Sequence, residues 1–292
     1  MSKSTRSGRK RRRIIAAAAL LFAALIFVAA AFYFYKDARG SGELSVYFFD
    51  VGQGDAALAV WDGGAILFDA GTNESQYKLT AYIESLGVDT IDCAVFSHPH
   101  EDHIGGADEV LRNFDVLSVL MPDAVSEYST YEVMMEYIEE EGCSVYEAYA
   151  GLSLTYGDVT LTVLSPAGYY DELNLESAVV RLDYGDVSYI FMGDCETEAE
   201  ADALDFMGED AFDADVIKIG HHGSYTATSA SLLDAVTPEI AVISCGRDNE
   251  YGHPSETVLS RLEEYGVTVY RTDTDGTVVI TTDGTDIRYS EY

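Results

Sequence analysis

FSHPHEDHIGG, residues 96–106, gathers His98, His100 and His103, three of the chain's six histidines, within a six-residue span. The preceding CAVFSH reads as a buried strand, and Gly105-Gly106 lead into a helix, so HPHEDH forms a loop at a strand end. Three imidazoles and the Asp102 carboxylate are donors that suit zinc or another borderline divalent metal. Alternate positions share one side of such a loop, while the adjacent Asp102 and His103 reach the other. One loop can thus serve two ions. A polar turn without metal does not need half of the chain's histidines.

Working outward, further pieces fall at other strand ends. Asp194 follows the apolar VSYIFMG, and His221 and His222 follow VIKIG ahead of Gly223-Ser224. A lone Asp in this position commonly caps a helix, and Asp194 with Glu196 and Glu198 fits that role as well. A His-His pair after a strand is harder to explain by packing. Asp69 ends AILFDAG, and the loop DVGQGD from Asp50 to Asp55 adds more carboxylates. His253 in YGHPSE reads equally well as a catalytic group or as a capping or packing residue.

Apolar runs mark strands at LSVYFFD, AALAVW, AILFDA, CAVFSH, VTLTVLS, SAVVRLDY, VSYIFMGD, VIKIG, IAVISCG, VTVYR, TVVIT and IRYS. Helical patterns fall between several of them, as in KLTAYIESLG, EVMMEYIEEEG, ETEAEADALDFM, SASLLDAV and SETVLSRLEEYG. No repeat and no Pro- or Ser-rich linker interrupts the body. These patterns predict one continuous α/β or α+β domain with a large sheet core.

FFDVGQGDA, LFDAG, SHPHEDHIGG, FMGDCETEAE, IKIGHHGS and YGHPS, in this order, resemble the metallo-β-lactamase-fold domain of the ComEC competence family. The likeness runs from about Glu43 to the C-terminus. It implies an α/β fold, a four-layer αβ/βα sandwich with metals at one edge, whose members hydrolyse esters, phosphodiesters, lactones and lactams. It implies that His98 and His100 hold one metal, Asp102 and His103 the other, that Asp194 bridges them, and that one of His221 and His222 completes the second site. Of that pair, His222 is the expected metal residue and His221 the expected catalytic one, with His253 a second catalytic candidate. Asp69, with Asp55, is expected to support the metal residues from behind. Two divalent ions are implied as cofactors, zinc first and manganese next.

Two departures from the family pattern bear on the site. Enzymes of this fold commonly supply a third histidine to the first metal before the bridging Asp, but no histidine lies between Ile104 and His221. The first metal is therefore expected to be held more weakly. Cys195 stands beside the bridging Asp, where small residues are more typical, and would make the site oxidisable. The four cysteines, Cys93, Cys143, Cys195 and Cys245, show no C-x-x-C spacing, which speaks against a zinc knuckle or redox pair. Export would allow disulfides, yet Cys93 and Cys245 sit in apolar runs that suit small buried hydrophobes.

Charge divides the chain. Of 17 basic residues, the nine at Lys3, Arg6, Arg9, Lys10, Arg11, Arg12, Arg13, Lys36 and Arg39 precede Gly40, against one of the 51 acidic residues, Asp37. Residues 14–35, IIAAAALLFAALIFVAAAFYFY, carry no charge and would span roughly 33 Å as a helix. A cleaved signal peptide is the competing reading, but its apolar region runs only about 7 to 15 residues. The expected organisation is a basic cytoplasmic stub (1–13), a transmembrane anchor (14–35), a short linker (36–42) and the hydrolase domain (43–292). Basic residues ahead of the span keep the N-terminus inside the cell and set the body outside.

The expected activity is a dinuclear phosphodiesterase or nuclease at the cell membrane. Its expected substrate is a phosphodiester, either DNA or a cell-envelope polymer, as implied by the competence branch and by related HHGS proteins. A strongly acidic body disfavours tight non-specific nucleic-acid binding, which draws on clustered Lys and Arg. A lactone or β-lactam hydrolase and a metal-binding module without turnover are the alternatives.

Overall fold

The structure, a computed structural model, describes residues 42–292. The expected stub, the expected anchor at 14–35 and all but the last residue of the linker lie outside the described residues. Among the described residues, no helix is long and apolar enough to cross a membrane.

The chain opens with the antiparallel strands β1 (Leu44–Phe48), β2 (Ala57–Trp61) and β3 (Gly64–Phe68). The short β4 (Thr90–Ile91) pairs in parallel with β6 (Asp115–Val116) as a separate ribbon. β5 (Cys93–Val95), β7 (Ser118–Met121) and β8 (Ser144–Glu147) then extend the first sheet in parallel from β3.

The second sheet repeats this plan. β9 (Ser153–Tyr156), β10 (Val159–Ser165), β11 (Val179–Tyr184) and β12 (Val187–Phe191) run antiparallel. β13 (Val216–Lys218), β14 (Ile240–Ile243) and β15 (Thr268–Arg271) then add in parallel. The last strands, β16 (Val278–Thr282) and β17 (Ile287–Glu291), return to the first sheet beside β1.

Burial explains the layering. One apolar cluster joins inward residues of both sheets, including Phe48, Phe68, Val95, Val163, Tyr189 and Phe191. Phe191 stacks on Phe68 with ring centroids 3.7 Å apart. A second cluster seats Leu79, Ile83, Val110 and Met134 of three helices on the outer face of the first sheet. A third seats Ala199, Leu232, Val258 and Leu262 on the outer face of the second. β12, buried at all five positions, is covered on both faces, which suits its continuous apolar sequence.

Besides the two-residue β4 and β6, three strands were not marked by sequence pattern. β7 is a short buried run, β9 alternates only between exposed and half-buried, and β8 is exposed at all four positions. β8 and β9 are edge strands, so each lacks a pairing neighbour on one side, and β8 has no apolar alternation to betray it. All four cysteines are free thiols.

Candidate metal centre

The polar residues converge at the ends of strands from both sheets. β3 delivers Asp69, β5 delivers Ser97 and His98, β12 delivers Asp194, and β13 delivers His221 and His222. Where a loop was expected after His100, residues Glu101–Ile104 form one helical turn, which carries Asp102 and His103 inward. The loop from Asp50 to Asp55 lies against this turn, and the Asp55 N–H donates to the Asp102 carbonyl at 3.0 Å. Any Cβ at Gly54 would stand 2.5 Å from that carbonyl, so only glycine permits the approach.

Two groups of potential metal donors share Asp194. One comprises His98, His100 and Asp194; the other comprises Asp102, His103, Asp194 and His222. Asp194 Oδ1 lies 3.1 Å from His103 Nε2 and 3.7 Å from His222 Nε2. Its Oδ2 lies 3.8 Å from His98 Nε2 and 3.7 Å from His221 Nε2. The helix after Asp194 starts at Thr197 with Glu196 in the capping position, so the capping role considered for Asp194 is not its role. No further His, Cys, Asp or Glu joins the three-residue group among the described residues.

The outer nitrogens fix which way each ring presents its lone pair. His222 Nδ1 lies 3.0 Å from the Ser244 carbonyl, and an acceptor there requires the proton on Nδ1. His103 Nδ1 likewise faces Asp69 Oδ2 at 2.8 Å. Ser97 Oγ donates to Asp69 Oδ2 at 2.8 Å, which leaves it to accept from His98 Nδ1 at 3.1 Å. In their neutral forms all three rings therefore turn a bare Nε2 toward Asp194. His98 Nε2 and His100 Nδ1 are only 2.9 Å apart, so a cation or a shared proton must lie between them.

These features fit divalent metal. His103 Nε2 and Asp194 Oδ1 are buried and face each other without hydrogen-bond geometry, an arrangement that calls for a positive centre. In the metal-free protein, protons supply that charge. Burial opposes a charge on His103, but Asp194, Asp69 and Asp102 outweigh it and hold the pKa well above the ordinary value. His222 is raised to about 10, against burial, chiefly by Asp194 and Asp55. Asp194 itself, despite burial, is held well below the carboxylate range by His103 and His222. His98 goes the other way: burial, reinforced by His103, pushes it well below its ordinary value.

Asp69 and Asp55 sit behind these rings. Asp69 accepts from the Ser97 N–H at 2.7 Å as well as from the Ser97 hydroxyl, and does so from a left-handed backbone (φ 55°). Such a conformation costs a non-glycine residue about 1–3 kcal/mol and persists only where contacts impose it. Asp55 pairs with the buried Lys218, and its Oδ1 lies 3.3 Å from His222 Nδ1.

His221 and His222 part company through consecutive left-handed residues (φ 47° and 52°). Gly223 follows at φ 82°, packed so closely on Pro254 that a Cβ would come within 2.6 Å of it. His222 turns inward and is buried, whereas the His221 side chain keeps 24% exposure and donates through Nδ1 to Glu196 Oε1 at 2.9 Å. His253 stacks on Tyr251, and its ring centroid is 5.6 Å from that of His221. Ser255, two residues on, caps the next helix, so capping is not the task of His253.

One expectation is corrected. Cys195 is fully buried in the apolar cluster behind the second sheet, and burial pushes its thiol well above the ordinary value. It gives the site no exposed, oxidisable thiolate.

Two residues escaped the sequence reading. Glu196 was visible only as a helix-start acid. Lys218 did carry a signal, a lone cation inside the apolar run VIKIG, since a buried charge needs a partner.

Sequence comparison agrees with the fold. The profile of the metallo-beta-lactamase superfamily matches residues 49–247, and the chain belongs to that superfamily. It is 31% identical over 257 residues to ComE operon protein 3 of Bacillus subtilis, covering 82% of this chain and 33% of that protein. It is 30% identical over 235 residues to Recombination protein 2 of Haemophilus influenzae, covering 78% of this chain and 28% of that one. The chain thus spans about a third of the length of these relatives. Among solved structures, the metallo-beta-lactamase fold protein YhfI from Bacillus subtilis superposes with a TM-score of 0.55 at 13% identity, covering 82% of this chain and all of that one.

Proposed function

We propose that this protein is a dinuclear metal-dependent phosphodiesterase, anchored in the cell membrane by residues 14–35 with residues 43–292 outside. The observation that carries the reading is the Asp194 carboxylate, whose two oxygens face different sets of imidazoles at 3.1–3.8 Å. His98 and His100 would hold one ion, Asp102, His103 and His222 the other, and Asp194 both. The imidazole-rich donor set favours zinc, with manganese next because of its carboxylates. Two such ions would activate water near neutral pH and offset negative charge developing on the substrate.

The remaining polar groups then have tasks of their own. His221, partly exposed and steadied by Glu196, would hold a proton at Nε2 for the leaving oxygen, with His253 beside it. Asp69 and Ser97 engage the outer nitrogens of His103 and His98, which aims their Nε2 atoms inward.

The name of one relative, Recombination protein 2, supports a nucleic acid among phosphodiester substrates. A cell-envelope polymer is the other candidate. Eight basic residues remain beyond Arg39 against 50 acidic ones, by subtraction from the chain totals. Such a body favours turnover of a substrate over tight retention of a polyanion.

The test is hydrolysis by the full-length chain of bis(p-nitrophenyl) phosphate, a lactone and a chromogenic cephalosporin, with chelated protein as control. Metal-dependent turnover of the phosphodiester in excess of the others is expected. Preference for the lactone or the cephalosporin would overturn the phosphodiester reading. Membrane fractionation of the same chain, with external protease on intact cells, tests the anchor: a soluble form beginning near Ala31 would indicate a cleaved signal peptide instead.

A further inference from the structure

We infer that Lys218 is a positioning residue of the second metal group, acting through Asp55 on both His222 and Asp102. This rests on the reading of that group as a metal site. The geometry makes Asp55 a junction between the two halves of the domain. Its backbone N–H holds the Asp102 carbonyl at 3.0 Å, and its backbone carbonyl accepts from the Gly71 N–H at 2.7 Å. Its Oδ1 lies 3.3 Å from His222 Nδ1, and its Oδ2 pairs with the Lys218 ammonium. Asp102 comes from the first half, and His222 and Lys218 come from the second. One residue therefore touches two of the four residues of the group, Asp102 through its backbone N–H and His222 through its carboxylate, and Lys218 fixes where that carboxylate stands.

Stability alone is a poor account of this pair. Lys218 is 4% exposed and Asp55 4%, and burying two charges costs several kcal/mol per ion before their attraction offsets it. Apolar residues of the same size commonly serve a core as well or better. Lys218 also cannot drift: its ammonium donates to the Ile219 carbonyl at 2.7 Å as well as to Asp55. Two acceptors thus hold the cation at the end of β13, four residues before His222. A small cavity of about 20 Å³, lined by Asp55, Asp69, Ser97, Lys218 and Ser244 together with apolar side chains, lies at the same place. Every polar residue on that lining contacts His98, His103 or His222, or contacts a residue that does. The ammonium is the single cationic side chain of the lining, beside the Asp55 and Asp69 carboxylates.

The test is a double-mutant cycle in the full-length chain, with Lys218→Met, Asp55→Asn and the double variant. Stepwise Zn²⁺ affinities are read by chelator competition. The visible absorption of Co²⁺ reports coordination at the second group, and the melting midpoint in chelator reports fold. Lys218→Met is expected to weaken the second group about 10- to 100-fold, the range for partners behind metal ligands, and to alter the Co²⁺ spectrum while leaving the His98/His100 group unchanged. The double variant, which buries no unpaired charge and so folds even where the single one fails, is expected to lose no more affinity than Asp55→Asn alone. Unchanged metal affinities and Co²⁺ spectrum in folded Lys218→Met, or losses that add in the double variant, would overturn the inference while leaving the metal site standing. Absence of any divalent-ion binding by the unmutated chain would overturn the site reading and this inference with it.

Discussion

The Oδ1 atom of Asp194 stands 3.1 Å from Nε2 of His103, both atoms buried and neither engaged in a hydrogen bond. His103 spends its other nitrogen on Asp69 at 2.8 Å. Two electron-rich atoms buried this close together need a cation between or beside them. In the metal-free protein a proton on His103 serves; in the proposed enzyme a metal ion does.

The first prediction follows from that geometry. Asp194→Asn supplies a neutral amide that cannot serve two cations, and since Glu196 occupies the capping position, the substitution leaves the helix start intact. Outer partners of metal sites are worth about 10–100-fold, so loss of a direct shared carboxylate should cut metal-dependent turnover by at least about 100-fold. Elemental analysis should show reduced metal, with far-UV circular dichroism of the metal-treated protein unchanged. Full metal content and turnover would remove Asp194 from the mechanism.

Much of this site was legible because its donors lie in short motifs at strand ends. His98, His100, Asp102 and His103 come from one turn, and a strand-loop pattern is enough to bring them together. Asp194 and His222 were legible as pieces, but their distances depend on both sheets. The Asp55–Lys218 pair joins residues far apart in the chain, and no local periodicity records such a contact. The His221–Glu196 pair was hidden for a different reason, since an acid at a helix start has a sufficient local explanation in the helix dipole. Edge strand β8 was missed because exposure on both faces erases the alternation by which strands are recognised.

The second prediction concerns pH. His222 is raised from an ordinary 6.5 to about 10, and His103 is also raised. A raised folded-state pKa stabilises fully below the unfolded value and is lost as pH climbs through the folded one. Metal-free protein should therefore lose stability between about pH 6.5 and about 10, a trend visible in its melting midpoint. Metal must displace these protons, so affinity should rise with pH over the same window, and binding at pH 7 should release about two protons. Calorimetric titration in buffers of different ionisation heat measures that release. Binding without proton release would mean that His103 and His222 are not the donors.

A third prediction tests the scaffold beneath the site. Phe191 ends the strand that leads to Asp194 and packs on Phe68 at 3.7 Å and Phe48 at 5.9 Å. Phe191→Ala should open a cavity between the sheets and cost about 3–5 kcal/mol. Among the described residues its ring contacts are to Phe48 and Phe68 and to no histidine donor, so added Zn²⁺ should raise the melting midpoint of variant and unmutated protein by similar amounts. A variant that no longer responds to Zn²⁺ would show that the strand end shifts with the core.

The last prediction separates the two metal positions. His98, His100 and Asp194 form a group of three, whereas Asp102, His103, Asp194 and His222 form a group of four. Structural zinc sites are commonly four-coordinate, so the larger group should fill first and hold its ion more tightly. His100 adds to the asymmetry because it is only half-buried, while His103 and His222 are enclosed. His98→Ala should therefore leave one tightly bound ion after dialysis, since it removes a donor from the weaker group alone. Asp102→Ala should instead weaken the tight ion and bring the two affinities closer together. Elemental analysis with stepwise chelator competition on the two variants reads both effects. One tight ion that is lost in His98→Ala and kept in Asp102→Ala would reverse the order, and would mean that the missing histidine before Asp194 costs the first position nothing.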